Sequence, residues 1–589
     1  MSNVALIRRL TIERFRGIKS LRWNPADGMN VILGGGDAGK TTVLEAIALL
    51  LSPSNSLVLS EADYWQRDTD AEFVIQAIVS LPANSDIHQQ QKLSWPWDWN
   101  GKDAVLPVSA DSSDDQPTPN EPVFRLQVRG TPELEIVWEI VQPNDAADLL
   151  SAALRRKIGV VRLGGDERND RDLRLVYGSA LDRLLADKGL RARIGQKVSD
   201  IDLQGQLGEE AVESLKKLDD ALKKESLPHK LELGLTSSQG LSIGALVGLL
   251  AESSESVSLP LSSWGAGTRR MATLQIAAAT ESETRITLID EIERGLEPYR
   301  VRKLVKALQA EDPQAFATTH SAVAISAADT AHLWYMDAAG QIGALPQDKI
   351  SAQQRRDPLT FLARLAVICE GPTEAGFLAV LMERGIDGQY RDHGIHLADG
   401  QGNDQTLALL EALAKSGLAF AGFADNEGSA PERWKNLKTQ LQNLLFQWPS
   451  ANVEENVIAQ IDEASLPELL TDQDGDPDGD RLRTLADRLG TADKDLQTIL
   501  AEAQTQQTDL RSLIIAAATG NTDGAPAGRE KEWKKHGQKW FKSEAGGREL
   551  ATRMFALGAW PALQPLLIPF VNAIRQLMGQ PAIADVAHE

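Results

Sequence analysis

The sequence predicts an α/β protein made of two successive parallel-sheet units. Two stretches carry that expectation, and chain length supports it. Residues 28–51, "GMNVILGGGDAGKTTVLEAIALLL", read as an apolar strand, a glycine-rich loop and an amphipathic helix. Residues 365–382, "LAVICEGPTEAGFLAVLM", read as a second strand that ends on an acid, a Gly-Pro turn and another helix. At 589 residues the chain is too long for one hydrophobic core. The two strand–loop–helix units therefore fall to separate domains, joined by the polar stretch "ISAQQRRDPLT" at 350–360.

Composition narrows the class. With 42% apolar and 24% charged residues the chain has ordinary globular character. No apolar run reaches membrane-spanning length, and the N-terminus "MSNVALIRRLTIERFRG" places charges where an export signal needs its apolar segment. A cytoplasmic location without a membrane partner is expected. The single cysteine, Cys369, excludes an intrachain disulfide and a Cys-rich zinc site, and its apolar setting reads as a core thiol. A net charge of −22 argues against a nucleic-acid coating protein but leaves room for a local basic patch. One lies at 528–549, "GREKEWKKHGQKWFKSEAGGRE", where charge alone reads as a solvated helix face.

In the first unit, Gly34, Gly39, Lys40 and Thr41, followed by Thr42, fit G-x-x-x-x-G-K-[ST]. The glycines let backbone N–H groups turn in around phosphates and deliver them to a helix N-terminus. Lys40 would reach the β/γ-phosphates, and the Thr41 hydroxyl would ligate Mg²⁺. The strand in "RITLIDEIERGLEP" ends at Asp290, suited to holding Mg²⁺ through water, and Glu291, suited to orienting or deprotonating the attacking water. "QAFATTHSAVAI" ends a further strand at His320, placed to sense a γ-phosphate. In "LPLSSWGAGTRRMATLQIA", Ser263, Gly265 and Gly267 read as an ABC-type signature, which binds the ATP held by the other protomer. Singly these are a Ser/Gly loop, a capped strand and a core-facing histidine. In this order they read as an ABC-type ATPase head that takes ATP with one Mg²⁺ and acts as a dimer.

The opening "ALIRRLTIERFRGIKSLRW", a hairpin turning at Phe15-Arg16-Gly17, resembles the heads of SMC and RecF-like ATPases, without their long heptad arm. Residues 1–180 and 259–350 are assigned to the head. The charged segment 181–258 is read as a helical insertion, either a dimer contact or solvated helices. Residues 84–121 read as a long polar insertion, whose Trp95-Pro96-Trp97-Asp98-Trp99 run is either a contact site or a local core.

The second unit, 360–589, carries acids at its strand ends. Glu370 closes the first strand and Glu374 opens the helix after it. "GLAFAGFADNEG" ends a strand at Asp425-Asn426-Glu427. Alternate residues of a strand face one way, so Asp425 and Glu427 are expected to face one cation. Carboxylates gathered at one sheet edge are costly without a metal, and oxygen ligands suit Mg²⁺ or Mn²⁺. The arrangement resembles a Toprim domain, with Glu427 where that pattern has Asp, which adds one methylene of reach.

An ABC head followed by a Toprim domain resembles the OLD (overcoming lysogenisation defect) family, which includes the ATPase-nuclease of Gabija-type anti-phage systems. The resemblance spans essentially the whole chain. It implies an ATP-regulated, two-metal DNA endonuclease or nickase using Mg²⁺ or Mn²⁺ at Glu370, Glu374, Asp425 and Glu427, with Ca²⁺ as an inert or assisting ion. It also implies a further acid in "LLFQWPSANVEENVIAQ", where Glu454 and Glu455 are the candidates, although an ordinary helix start explains them too. A lysine is expected at the scissile phosphate, Lys542 first and Lys539 second, with Asp509 a weaker candidate ligand. Residues 430–525 are read as a helical insertion. The implied partners are DNA, a homodimer or higher homo-oligomer and, by family analogy, a superfamily-one helicase. The rival reading is a DNA-repair or sensor ATPase of ABC type whose acidic domain binds metal or a partner without cutting.

Overall fold

The computed structural model describes residues 5–55, 57–82, 87, 95–107, 121–163, 170–176, 179–187, 190, 205, 207–235, 247–252, 258–279, 286–311, 314–470 and 479–586. Much of the 84–121 insertion and parts of 181–258 lie outside these residues. Two compact units divide between Gln347 and Asp348.

In the first unit, strand Leu6–Phe15 turns through Arg16-Gly17 and pairs antiparallel with Ile18–Trp23. This hairpin belongs to an eight-stranded antiparallel sheet with Phe73–Ser80 and Glu121–Gly130. Beside it lies a six-stranded sheet in the order Val160–Leu163, Ile286–Ile289, Gln314–Thr318, Gly28–Gly34, His332–Met336, Ile342–Leu345. All neighbours in it are parallel except the last pair. The inner strands are short apolar runs buried along their length, as strands covered on both faces must be. Ile32, Leu44 and Ile47 share one core with Phe15, Phe73 and Ile75 of the antiparallel sheet.

The segment 181–258 is only partly helical. Helix Glu209–Lys224 is followed by His229–Leu235, Val247–Glu252 and Ser258–Pro260, a three-stranded antiparallel sheet. The segment's charged stretches read as a helical insertion, but Leu231 and Leu233 are buried two residues apart, which is the period of a strand. They pack with Leu215, Leu218 and Leu222 of the helix and with Met271 and Ile276 of helix Ala266–Ala279. The Trp run resolves as a local core: Trp97 is buried with Ile78 and Val123, the Arg125 guanidinium stacks on its ring, and Trp95 stays exposed.

The second unit has a four-stranded, wholly parallel sheet ordered Ile395–Asp399, Leu365–Cys369, Phe420–Ala424, Leu445–Gln447. The last strand falls inside 430–525, so that segment is not simply a helical insertion: it completes the sheet. Three residues of pairing give too short an apolar signal to stand out beside the helices around it. Phe423, Phe446, Trp448 and Phe570 pack ring against ring beneath this sheet. Cys369 is fully buried and burial pushes its thiol up, as befits a core thiol.

Helix Pro372–Gly385 and helix Glu544–Ala556 touch backbone to backbone. A Cβ on Gly376 would meet the Glu544 carbonyl at 1.9 Å, and one on Gly547 the Thr373 carbonyl at 2.0 Å. Glycine alone allows that approach, which draws the end of the basic segment toward the strand-end acids.

Candidate functional sites

In the first unit, the phosphate loop joins strand Gly28–Gly34 to helix Lys40–Leu50. Gly34 lies at φ 147°, and a Cβ there would sit 2.4 Å from the Met336 carbonyl; Gly39 turns the chain into the helix at φ 101°. Lys40 is buried and donates to the Gly34 and Gly35 carbonyls at 3.0 and 2.6 Å, inside its own loop. Burial lowers its pKa, opposed by the charges of Asp290, Asp37, Glu291 and Glu293. The Thr41 hydroxyl donates to Asp290 at 3.0 Å, which brings the loop and the acid strand together as an Mg²⁺-binding pair requires.

Sequence reasoning passed over several residues here. Strand Gln314–Thr318 lies between the loop strand and the acid strand, and its terminal Thr318 binds the end of the acid strand. Its hydroxyl donates to Asp290 Oδ1 at 2.7 Å and accepts from the Glu291 N–H at 2.8 Å. Glu291 sits at φ 49°, a left-handed conformation unusual outside glycine and found at strained functional positions. Glu293 accepts from the Thr319 hydroxyl at 2.6 Å and from the His320 N–H at 2.7 Å, tying the loop after the acid strand to the histidine. The His320 side chain is exposed.

Ser263 and Gly265 are exposed just before helix Ala266–Ala279, and the Ser263 hydroxyl donates within its own turn to Pro260. Gly267 packs so tightly on the Gly295 carbonyl that a Cβ would lie 2.1 Å from it. One turn on, buried Arg270 donates to the Asp290 carbonyl at 2.6 Å and the Arg294 carbonyl at 3.2 Å. Helix Ala266–Ala279 is thus clamped to the acid loop of its own chain. An arginine inside a Ser/Gly motif gives no sequence signal of such a role.

A family model described as AAA domain, putative AbiEii toxin, Type IV TA system matches residues 140–326, which include the signature, the acid strand and His320. Within the N-terminal unit, residues 140–326 thus match an AAA domain. The chain also shows short and distant likenesses. Two proteins described as DNA replication and repair protein RecF, from Shewanella piezotolerans (strain WP3 / JCM 13877) and Shewanella woodyi (strain ATCC 51908 / MS32), are each 52% identical over 44 residues, 8% of this chain. The match spans 12% of the length of these relatives. Among solved structures, an Smc head bound to the C-winged helix domain of ScpA aligns at 15% identity and TM-score 0.37, covering 59% of this chain and 99% of that one. The recombination mediator RecF with ATP aligns at 14% identity and TM-score 0.36, covering 58% and 99%.

The second unit gathers acids at the carboxyl edge of its parallel sheet, where ligands of such sheets bind. Glu370 follows strand Leu365–Cys369, Asp425 follows Phe420–Ala424, Glu374 lies in the first turn of helix Pro372–Gly385, and Glu454 lies in helix Val453–Ile458 just beyond the fourth strand. All four are buried, Glu454 to 2% exposure. Glu370 Oε2 accepts from the Asp425 N–H at 3.0 Å, and Asp425 Oδ1 from the Val453 N–H at 3.0 Å. Burial first, then the neighbouring negative charges, raises Glu374 to about 8 and Asp425 to about 10. Burial raises Glu370 and Glu454 as well. Lys542 is exposed at the rim, and its charge pulls Glu374 and Glu454 down. Its loop is anchored by the Thr373 hydroxyl, which donates to the Phe541 carbonyl at 3.0 Å.

Several expected candidates stand elsewhere. Glu427 does not share a face with Asp425: the strand ends at Ala424, the period of two lapses, and Glu427 is exposed, acting on Glu370 only through its charge. Glu455 is exposed while Glu454 points inward, since adjacent helical residues face different ways. Lys539 pairs with Asp480 at 2.8 Å, and Asp509 caps helix Leu510–Thr519. Within the basic segment Arg529 pairs with Asp487 and Glu532, Arg548 with Glu383, while Trp533, Trp540 and Phe541 are buried. Its aromatics serve the core. Among the described residues no three His, Cys, Asp or Glu side chains stand assembled as a metal shell; the acids are close enough to disturb one another but remain spread between backbone donors.

Proposed function

We propose that the chain is an ATP-regulated, divalent-metal-dependent DNA endonuclease or nickase, with an ABC-type head hydrolysing ATP as a homodimer or larger homo-oligomer and a Toprim-like second unit making the cut. The observation that carries the second half is the cluster of four buried carboxylates with a lysine at its rim. Such a cluster holds charge at high cost without cations, and its all-oxygen donor set fits Mg²⁺ or Mn²⁺. Glu370, Glu374, Asp425 and Glu454 would hold the ions. Bound there, divalent cations supply an activated water and charge stabilisation of the leaving oxygen in phosphodiester hydrolysis. The Asp425 and Val453 N–H groups orient the carboxylates that accept from them. Lys542 would meet the phosphate and balance part of the acid charge. In the head, Thr41, Asp290 and Thr318 form the Mg²⁺-ATP side, and Glu291 is the group set to orient water. A role in phage defence, and a helicase partner, rest on the OLD-family resemblance.

The second reading, a DNA-repair or sensor ATPase without nuclease activity, is favoured by the absence of an assembled metal shell among the described residues. Cleavage of supercoiled plasmid in Mn²⁺ separates the two. The nuclease reading expects cutting by wild type and by Lys40→Ala, and none by Glu370→Ala. ATP hydrolysis without any cutting, by a protein that binds no Mn²⁺ in its second unit, sinks it.

A further inference from the structure

Asn403 opens helix Asn403–Leu413, beside the carboxylate cluster. The loop before it is stitched to the end of the Glu370 strand: the Gly400 N–H donates to the Cys369 carbonyl and the Gly402 N–H to the Glu370 carbonyl, both at 2.7 Å. Asn403 is 9% exposed. Its amide oxygen accepts from the Ser429 hydroxyl at 2.9 Å and from the Trp434 indole N–H at 3.4 Å. Two donors on the oxygen fix the amide's orientation and leave its NH₂ pointing the other way. That nitrogen is buried and makes no hydrogen bond, and the Asn403 side chain favours the charged form of Glu370. A buried donor left idle is costly, so its placement there needs a use.

We propose that Asn403 is a positioning residue for Glu370, holding that carboxylate from one side as the Asp425 N–H holds it from the other, so that Glu370 meets a divalent cation already oriented. This rests on the metal-nuclease reading. Ser429 and Trp434 form the next layer, because they set which end of the amide faces the acid. Groups that orient a metal ligand typically change metal affinity by about 10–100-fold when removed.

The test is Mn²⁺ titration of the full chain without nucleotide, followed by electron paramagnetic resonance, for wild type, Glu370→Ala and Asn403→Ala. Asn403→Ala is expected to bind Mn²⁺ about 10–100-fold more weakly, with ATP affinity unchanged. Cleavage should return at saturating Mn²⁺, a split that a purely structural role would not produce. Wild-type Mn²⁺ affinity in Asn403→Ala, with binding lost in Glu370→Ala, overturns the assignment and leaves the nuclease reading standing. Absence of Mn²⁺ binding by wild type overturns both. Should Asn403→Ala fail to fold, the double variant Ser429→Ala/Trp434→Phe decides, since it frees the amide to rotate; unchanged Mn²⁺ affinity there also overturns the assignment.

Discussion

Asp290 and Asp425 occupy equivalent places, each just past the end of a buried parallel strand, yet their surroundings differ in kind. Asp290 is met by hydroxyls, from Thr41 on the phosphate loop and Thr318 on the neighbouring strand. Asp425 is met by other acids, with its own N–H and that of Val453 donating among them. Hydroxyls satisfy a carboxylate that holds one ion through water. A crowd of carboxylates stays ionised only when cations take the place of those hydroxyls. The same local plan, an apolar strand ending in an acid, therefore serves, by the proposals above, nucleotide chemistry in one unit and phosphodiester chemistry in the other.

The largest effect expected to sharpen this contrast separates two adjacent acids. Glu454→Gln should weaken Mn²⁺ binding by at least about 100-fold, beyond the usual cost of losing an outer-shell partner, while Glu455→Gln should leave it unchanged. Equal loss in both would show that the inward turn of Glu454 is not what matters. In the head, Thr318→Val removes the hydroxyl that bridges Asp290 and the Glu291 N–H. ATP turnover should fall about 10–100-fold with Mn²⁺ binding by the second unit unaltered. Turnover at the wild-type level would remove Thr318 from the site.

A smaller effect is expected in stability against pH. Glu374 and Asp425 are raised in the folded state, so above a pH of about 4 the unfolded chain has released protons that the native cluster still holds. Stability contributed by these protonated groups is full below that pH and is lost as pH rises toward 8 and beyond. In chelator, the thermal midpoint should drop between pH 5 and 8. Glu374→Gln should blunt the drop, by about 2–4 °C for each 1 kcal/mol relieved in a unit of this size. A midpoint flat with pH in chelator, or one indifferent to Mn²⁺ at pH 8, would contradict a cluster starved of cations.

Both strand–loop–helix units were legible because each is a contiguous stretch whose hydrophobic period and turn residues fix local structure. Gly34, Gly39, Lys40 and Thr41 lie within eight residues, and Glu370 and Glu374 within five. What failed to read was whatever depends on where a strand stops or how a side chain leaves its helix. Glu427 kept the right spacing, but the strand ended three residues before it. The fourth strand was hidden among helices because three residues carry too little period to detect.

By itself the sequence determined the phosphate loop, the acid strands, the order of the head's motifs and the burial of Cys369, all consequences of short-range pattern. Only the tertiary structure decided which acids share a site. Thr318 meets Asp290 because strand Gln314–Thr318 lies between the acid strand and the strand that leads into the phosphate loop. Arg270 reaches carbonyls 20 and 24 residues away. Lys542 arrives at the cluster because Gly376 and Gly547 let two helices touch. Such contacts are set by packing between distant segments, and the physical reason they are invisible beforehand is that no local energy term records them.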